Sequence, residues 1–121
     1  RQSIMTQCSA AQPSPAWPTP YYAVIFASTH SHDLAGYDDL GQKMLPLAAA
    51  MRGYLGTDSV RDPATGLGIT ISYWTDEAAI TAWKAQADHR LAQQQGRDQF
   101  YAAFTVHVSK VDRSYSFTRA A

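Results

Sequence analysis

The sequence predicts one α+β domain in which two helices lie on one side of a four-stranded antiparallel sheet. Three observations lead to this fold class. The length of 121 residues suits a single domain, and a hydrophobic content of 45% is sufficient for a core. Six segments follow one another in the order strand, helix, strand, strand, helix, strand. Two strand–helix–strand units of this kind form the βαββαβ arrangement of ferredoxin-like folds.

The first strand is predicted over residues 21–29, which are almost all apolar, β-branched or aromatic. A strand without a polar side is usually covered on both faces. After a loop rich in His, Ser, Asp and Gly, the first helix is predicted over residues 37–51, where apolar residues recur at helical spacing. Pro46 should bend or split this helix, and Gly53 should end it.

Strands over residues 54–61 and 67–74 flank the turn sequence 62–66, so these two strands predict a hairpin. The second helix is predicted over residues 76–94, with Thr75 as its N-cap and two acidic residues in its first turn. Its apolar stripe consists of Ile80, Trp83, Ala87 and Leu91.

Both ends of the chain are predicted to lie outside the domain, which spans residues 21–117 and precedes a short tail over 118–121. A short helical segment over 97–103 and a long fourth strand over 104–117 complete that domain. Residues 1–20 contain four of the six prolines and predict a tail. Within it, Trp17 is either an exposed tail residue or an anchor that packs on the domain or on a partner.

Charge and cysteine content exclude several classes of function. Lys plus Arg and Asp plus Glu both number 10, and no run of like charges occurs, which argues against nucleic acid or an anionic membrane as partner. The single Cys8 excludes an intrachain disulfide and a thiolate metal cluster. No apolar run approaches the ~20 residues of a membrane span, and no signal-peptide pattern is visible, so cytoplasmic residence is expected.

Apolar side chains are predicted on both faces of the sheet, whereas the two helices can cover only one. A large bare apolar face favours association. The sequence therefore predicts a two-fold homodimer packed sheet against sheet, with the fourth strand long enough to reach the partner.

Several segments occur in the order in which a known family has them. They are Tyr21–Phe26, Gly53–Gly56 followed by Ser59, Arg61 and Asp62, then Gly68–Trp74, Ala82–Lys84, His89, Ala92–Gln93, Gly96–Arg97 and Tyr101. Together they resemble the antibiotic biosynthesis monooxygenase domain over about residues 21–117. This resemblance implies a dimeric α/β barrel with a pocket in each subunit between helices and sheet. The superfamily includes quinone-forming monooxygenases that use neither metal nor flavin, haem-degrading and quinol monooxygenases, and members of unknown role.

One alternative is a haem protein, which can be judged by comparison with the haem-degrading branch of the superfamily. It has tryptophans at the positions of Trp74 and Trp83, a histidine ten residues after the second, and an asparagine on the first strand. Here the histidine position is Gln93 and the first strand has no asparagine. A haem-binding or haem-degrading function is therefore weakened, and no cofactor is expected.

The resemblance and the residues together point to His89, Arg97 and Tyr101 as catalytic residues. His89 is nine residues from Ile80, about 180° round the helix, and so lies away from the apolar stripe. It is either a solvated surface histidine or a group that meets Arg97, Tyr101 or the partner subunit. With a pKa near ~6.5, it could remove a phenolic or enolic proton near neutral pH. Arg97 or Tyr101 would orient the resulting anion, although Arg97 could simply cap a neighbouring element.

Phe26, Tyr73, Trp74 and Trp83 are the expected walls of a substrate pocket, and ordinary core packing would explain each of them as well. The run His30–Asp33 offers two histidines and one carboxylate, which is too weak a signal for a metal site. His107 is expected to point away from the face that Val106 and Val108 share.

The leading hypothesis is a small monooxygenase that oxidises a small aromatic or quinol-like molecule with dioxygen, without metal or flavin. The first alternative is a non-catalytic dimeric module that binds a small ligand or is associated with stress. The second is a haem protein. The sequence leaves open whether the chain turns over any substrate.

Overall fold

The computed structural model of the chain describes residues 12–30, 44, 46–93 and 101–120, with the backbone alone at 30, 89–93 and 101. Its regular elements are the strands β1 (Tyr21–His30), β2 (Tyr54–Arg61), β3 (Gly68–Trp74) and β4 (Tyr101–Val111), and the helix α1 (Glu77–Gln93). Within these ranges, none of the helical segments has the length and apolar character needed to cross a membrane.

The four strands form one antiparallel sheet in the order β2-β3-β1-β4. The two central strands, β1 and β3, are not adjacent in sequence, which is the topology expected when two strand–helix–strand units share a sheet. The predicted α+β ferredoxin-like fold is therefore confirmed. The hairpin of β2 and β3 closes through a turn in which Asp62 accepts hydrogen bonds from the backbone and hydroxyl of Thr65, which hold the pKa of Asp62 below its usual value.

Alternation of side chains gives the sheet two faces, which we name by their relation to α1. The rings of Trp74 and Trp83 stack with centroids 6.1 Å apart, so α1 covers the face that Trp74 shares. This helix-side face carries Tyr22, Val24, Phe26 and Ser28 of β1 together with their partners on the other strands. The opposite face carries Tyr21, Ala23, Ile25 and Ala27 of β1 together with theirs.

The start of α1 corrects one prediction. Asp76, not Thr75, caps the helix, because its Oδ1 accepts a hydrogen bond from the backbone N–H of Ala79 at 2.8 Å. Arg52 donates to both carboxylate oxygens of Asp76 at 3.0 Å. These bonds, with that of Arg52 first, lower the pKa of Asp76 to about 2. The Thr75 N–H instead donates to the carbonyl of Gly53 and ties the helix start to the chain before β2.

The first predicted helix falls only partly in the described ranges. Residues 44 and 46–49 are helical, and the backbone N–H of Ala50 donates to the carbonyl of Pro46. Residues 50–53 form turns and bends, so the helix ends slightly before the predicted residue 51. Gly53 has a φ of 86°, a left-handed conformation that suits glycine. Residues 37–43 and 45, which were also predicted to be helical, lie outside the described ranges.

Both boundaries predicted for the fourth strand were wrong. Tyr101–Ala103, predicted to be helical, belong to β4, because β1 extends to His30 and offers them a pairing partner. At the other end β4 stops at Val111, which pairs with Tyr21, the first residue of β1. Beyond it the described residues offer no partner strand, and residues 112–117 leave the sheet. Predicted helical residues 97–100 lie outside the described ranges.

The described part of the N-terminal segment packs on the opposite face of the sheet. The Trp17 ring lies edge-on to Tyr21 at a centroid distance of 5.5 Å and tilted against Tyr73 at 5.0 Å. A side chain at Gly56 would approach the Trp17 ring to 3.1 Å, so the glycine lets the indole lie against β2. Ser14 adds two hydrogen bonds to the Asp58 carboxylate. Trp17 is therefore an anchor on the domain rather than an exposed tail residue.

Candidate functional site

The helix-side face divides into an apolar half and a hydroxyl-bearing half. The half formed by β1 and β4 carries Val24, Phe26, Phe104, Val106 and Val108. The half formed by β2 and β3 carries Thr57, Ser59, Thr70 and Ser72. A sheet face that serves only as core under a helix is usually apolar throughout. A split face instead offers one surface for rings and another for oxygen or nitrogen substituents.

The hydroxyl groups are held by short contacts along the two strands. The hydroxyls of Ser59 and Thr70 lie 2.7 Å apart across β2 and β3. The Tyr54 hydroxyl lies 2.6 Å from that of Thr57, and the indole N–H of Trp74 donates to Ser72 at 2.9 Å. Each hydroxyl has a second hydrogen-bonding capacity, so the row can both donate and accept.

An aromatic cluster closes one end of this face. Trp74 is fully buried, with Tyr54 edge-on at 5.5 Å and Trp83 stacked at 6.1 Å. Its indole N–H is already bonded to Ser72. Trp74 therefore acts as the packed end wall, while the half-buried Trp83 brings α1 onto the sheet.

The other end of the face carries the guanidinium of Arg61. Its Nη1 donates to the carbonyls of Ser28, at 3.3 Å, and of Gly66, and its Nη2 donates to the Ser28 hydroxyl at 3.1 Å. The guanidinium lies over Gly68, where any side chain would collide with it. The side chain thus crosses β3 from β2 to reach β1.

Two phenylalanines lie on the same face, one on β1 and one on β4. Phe26 and Phe104 stack with centroids 5.4 Å apart and ring planes 26° apart. Phe104 is directly opposite Ser28, the residue that accepts the Arg61 hydrogen bonds. Phe104 is 42% exposed, so a ring surface is accessible at this end of the face.

Of the predicted pocket walls, the structure brings three to one face and separates the fourth. Phe26, Trp74 and Trp83 belong to the helix-side face, with Phe26 paired to Thr70, four residues before Trp74 on β3. Tyr73 lies on the opposite face, because neighbouring strand residues alternate. Its hydroxyl donates to the Asp58 carboxylate at 3.1 Å. Burial, reinforced by that carboxylate, raises the pKa of Tyr73 to about 12.

The three predicted catalytic residues stay a prediction. His89 is in α1 and Tyr101 begins β4, but the side chains of both lie outside the description, as does the whole of Arg97. The same holds for the side chains of His30–Asp33. His107 pairs with Ile25 on the opposite face, as its alternation with Val106 and Val108 indicated.

Sequence reasoning missed Arg61 as a site residue. The signal was present: Thr57, Ser59 and Arg61 alternate along β2, which is typical of a strand with one polar side. That side belongs to the face of the sheet on which α1 packs, although Ser59 itself is exposed, and only the structure shows which face this is. In the described ranges, no group of three or more His, Cys, Asp or Glu residues could hold a metal ion.

A four-stranded antiparallel sheet with a helix packed on Trp74 of one face defines a small ferredoxin-like α+β domain. The candidate ligand site is the rest of that face, which is partly aromatic and partly hydroxyl-bearing. The chain belongs to the antibiotic biosynthesis monooxygenase family, whose model matches residues 20–95. The resemblance noted in the sequence is thereby confirmed.

Two relatives and one solved structure are similar to the chain. The chain is 45% identical over 98 residues to the uncharacterized protein YqjZ of Bacillus subtilis, covering 81% of this chain and 85% of that protein. It is 25% identical over 95 residues to jasmonate monooxygenase ABM of Pyricularia oryzae, covering 77% of this chain and 44% of that protein. SnoaB, a cofactor-independent oxygenase from Streptomyces nogalater, has the same fold at a TM-score of 0.61 and 14% identity, covering 84% and 100% of the two chains.

Proposed function

We propose that this protein is a monooxygenase that oxidises a small aromatic or quinol-like molecule with dioxygen, using the helix-side face as its substrate site. The observation that carries the proposal is the division of that face into an apolar half and a hydroxyl-bearing half. Two observations support the reaction class. The chain belongs to this family, and it is similar to a jasmonate monooxygenase and to SnoaB, a cofactor-independent oxygenase.

The two halves suit the two parts of such a substrate. A flat ring gains from contact with Phe26, Phe104 and the valines of β4, since aromatic pairs add stabilisation beyond their buried area. Phenolic oxygens at the ring edge can exchange hydrogen bonds with the hydroxyl row of Ser59, Thr70 and Ser72. Ring and oxygen would therefore be oriented by different strands of one sheet.

The proposed reaction balances without an external reductant. A phenol with a free para position loses its hydroxyl proton, and the electron-rich anion reacts with dioxygen at that carbon. One oxygen atom becomes the new quinone carbonyl and the other leaves as water, so the substrate supplies all four electrons. In this scheme His89 removes the proton, and Arg97 or Tyr101 orients the anion.

The proposal includes a homodimer in the cytoplasm. The opposite face still exposes apolar side chains of the β2–β3 hairpin, with Val60 at 70% and Ile69 at 37% exposure. Exposed apolar area of this kind favours association with a second copy. Because β4 ends at Val111, the contact would be made by the sheet face rather than by a strand extended across the partner.

Oxygen uptake with 1-naphthol and a panel of naphthohydroquinones tests the proposal. We expect 1,4-naphthoquinone from 1-naphthol, with one atom of label from ¹⁸O₂ in the product. His89→Ala should lower the rate about 100-fold, the usual minimum for loss of a general base, and Tyr101→Phe should lower it less. The exposed Tyr115→Phe variant is the matched control for Tyr101→Phe and should keep the wild-type rate.

Three results would redirect the assignment. Binding of the panel without oxygen uptake, unchanged by His89→Ala, would favour the non-catalytic ligand-binding module. A Soret band on titration with haemin would favour the haem protein. Label-free quinone would show that product forms by simple electron transfer, and the monooxygenase assignment would then be wrong.

A further inference from the structure

Arg61 differs in its contacts from three other cations of the described ranges. Arg52 is ion-paired with Asp76 at 3.0 Å, Lys84 with Asp88 at 2.6 Å, and Lys110 with Asp112 at 3.9 Å. Within the described ranges, the guanidinium of Arg61 donates to two carbonyls and one hydroxyl and has no carboxylate at ion-pair distance.

Burial makes this lack of a counter-ion significant. Arg61 is half-buried, between the buried residues Ser28 and Gly68. A positive charge partly withdrawn from water is costly unless an anion accompanies it. Neutral acceptors fix the orientation of the guanidinium but do not balance its charge. An anionic group from outside the described elements would do so.

The donor groups that Arg61 does not use within the described ranges are arranged to bind a carboxylate. The bonds to Ser28 use Nη1 and Nη2, and none of the described residues accepts from Nε. The edge formed by Nε and the remaining hydrogen of Nη2 can hold two carboxylate oxygens side by side, which is the strong bidentate arrangement of arginine.

The position of the charge relative to the rings limits the ligand further. Ser28, which the guanidinium contacts, is directly opposite Phe104 on the next strand, and neighbouring strands are about 4.8 Å apart. Because the guanidinium lies between Gly68 of β3 and Ser28 of β1, it is between one and two strand spacings from Phe104 of β4. A ligand that stacks on Phe104 can reach Arg61 with a carboxylate attached directly to its ring.

We propose that Arg61 is a specificity-determining residue that binds a ring-borne carboxylate of the substrate. This inference relies on the proposed function for the location of the site and adds the charge of the ligand. Gly68 belongs to the same site, because its lack of a side chain leaves space for the guanidinium.

Paired probes test the charge preference without turnover. Calorimetric titration under nitrogen compares 2-naphthoate with 2-naphthamide, which has the same shape and no charge. We expect the wild type to bind the carboxylate about tenfold more tightly, as one charge-assisted pair would give. Arg61→Gln should make the two affinities equal, and Arg61→Lys should keep part of the preference. Arg119→Gln, which removes the same charge from the exposed C-terminal segment, should keep all of it.

A second readout uses the unmodified protein, so it does not depend on the folding of a variant. In ¹⁵N-resolved NMR spectra, 2-naphthoate should shift the backbone amides of Ser28 and Gly68 and 2-naphthamide should shift them much less. Equal affinities for the two probes, binding of neither, or a preference that survives Arg61→Gln would overturn the inference. A clear carboxylate preference without oxygen uptake would defeat only the proposed function, and oxygen uptake without a preference would defeat only the role of Arg61.

Discussion

The two faces of the sheet contain aromatic clusters of similar size that are assembled in different ways. On the helix-side face, Tyr54, Trp74 and Trp83 come from neighbouring elements β2, β3 and α1. On the opposite face, Trp17 of the N-terminal segment reaches Tyr21 and Tyr73. The first cluster is the interior of the domain, whereas the second attaches a segment to its outside. Tyr73 and Trp74 are adjacent in sequence, but they belong to different clusters on opposite faces of the sheet.

Polar groups follow the same division. On the helix-side face, hydroxyls contact one another and the Arg61 guanidinium lies among neutral acceptors. On the opposite face, the single carboxylate of Asp58 receives hydrogen bonds from Tyr73 and from Ser14. The first arrangement leaves hydrogen-bonding capacity for a ligand, while the second uses it to hold the N-terminal segment.

The two faces should differ most in the unfolding free energy that is lost when one tryptophan is removed from each. Trp74→Ala should cost about 4 kcal/mol of unfolding free energy, because a large, fully buried side chain is lost. Trp17→Ala should cost about 2 kcal/mol, because the ring is only half-buried and anchors a terminal segment. Denaturant unfolding measures both values, and equal losses would contradict the distinction between core and attachment.

The junction between the helix-side face and α1 can be tested with two glycines of similar conformation. Gly53 and Gly66 have φ of 86° and 79°, so alanine is strained at either position by about 1 kcal/mol. At Gly53 an added Cβ would also lie 2.6 Å from the Cβ of Ala79 in α1, whereas at Gly66 it would meet no atom within 4 Å. We expect Gly53→Ala to cost about 2–3 kcal/mol and Gly66→Ala about 1 kcal/mol.

Thermal or chemical unfolding of the two glycine variants decides this point. A cost at Gly66 as large as that at Gly53 would mean that backbone strain alone acts and that the contact with α1 is unimportant.

The smallest effect should appear at alkaline pH on the opposite face. The pKa of Tyr73 is about 12 in the folded chain and near its usual 10 when unfolded, so between these values the unfolded chain binds fewer protons. Stability should therefore be complete below pH 10 and decline as pH rises through 12. Tyr73→Phe should reduce this decline, and in a spectrophotometric titration it should remove one tyrosine that ionises near pH 12. An unchanged titration curve would contradict the Tyr73–Asp58 contact.

Much of the fold could be predicted from the sequence, but less of the site. The β2 strand and its hairpin with β3 follow from alternating residues around a turn sequence, and the start of α1 was predicted to within one residue. Phe26, Trp74 and Trp83 were chosen from resemblance and aromatic character, and they do share one face. Arg61 was not chosen, because its importance comes from its contact with Ser28, which is 33 residues away and adjacent only in the sheet.

The sequence by itself determined the elements whose signals are local: apolar periodicity, turn residues at 62–66 and the acidic start of α1. Tertiary structure alone decided the length of β4, since a strand continues only as far as β1 offers it hydrogen-bond partners. It also decided that Trp17 packs on the domain and that the polar side of β2 belongs to the same sheet face as Trp74. These outcomes depend on pairings between residues far apart in the chain, and no local propensity encodes which face of a strand becomes covered.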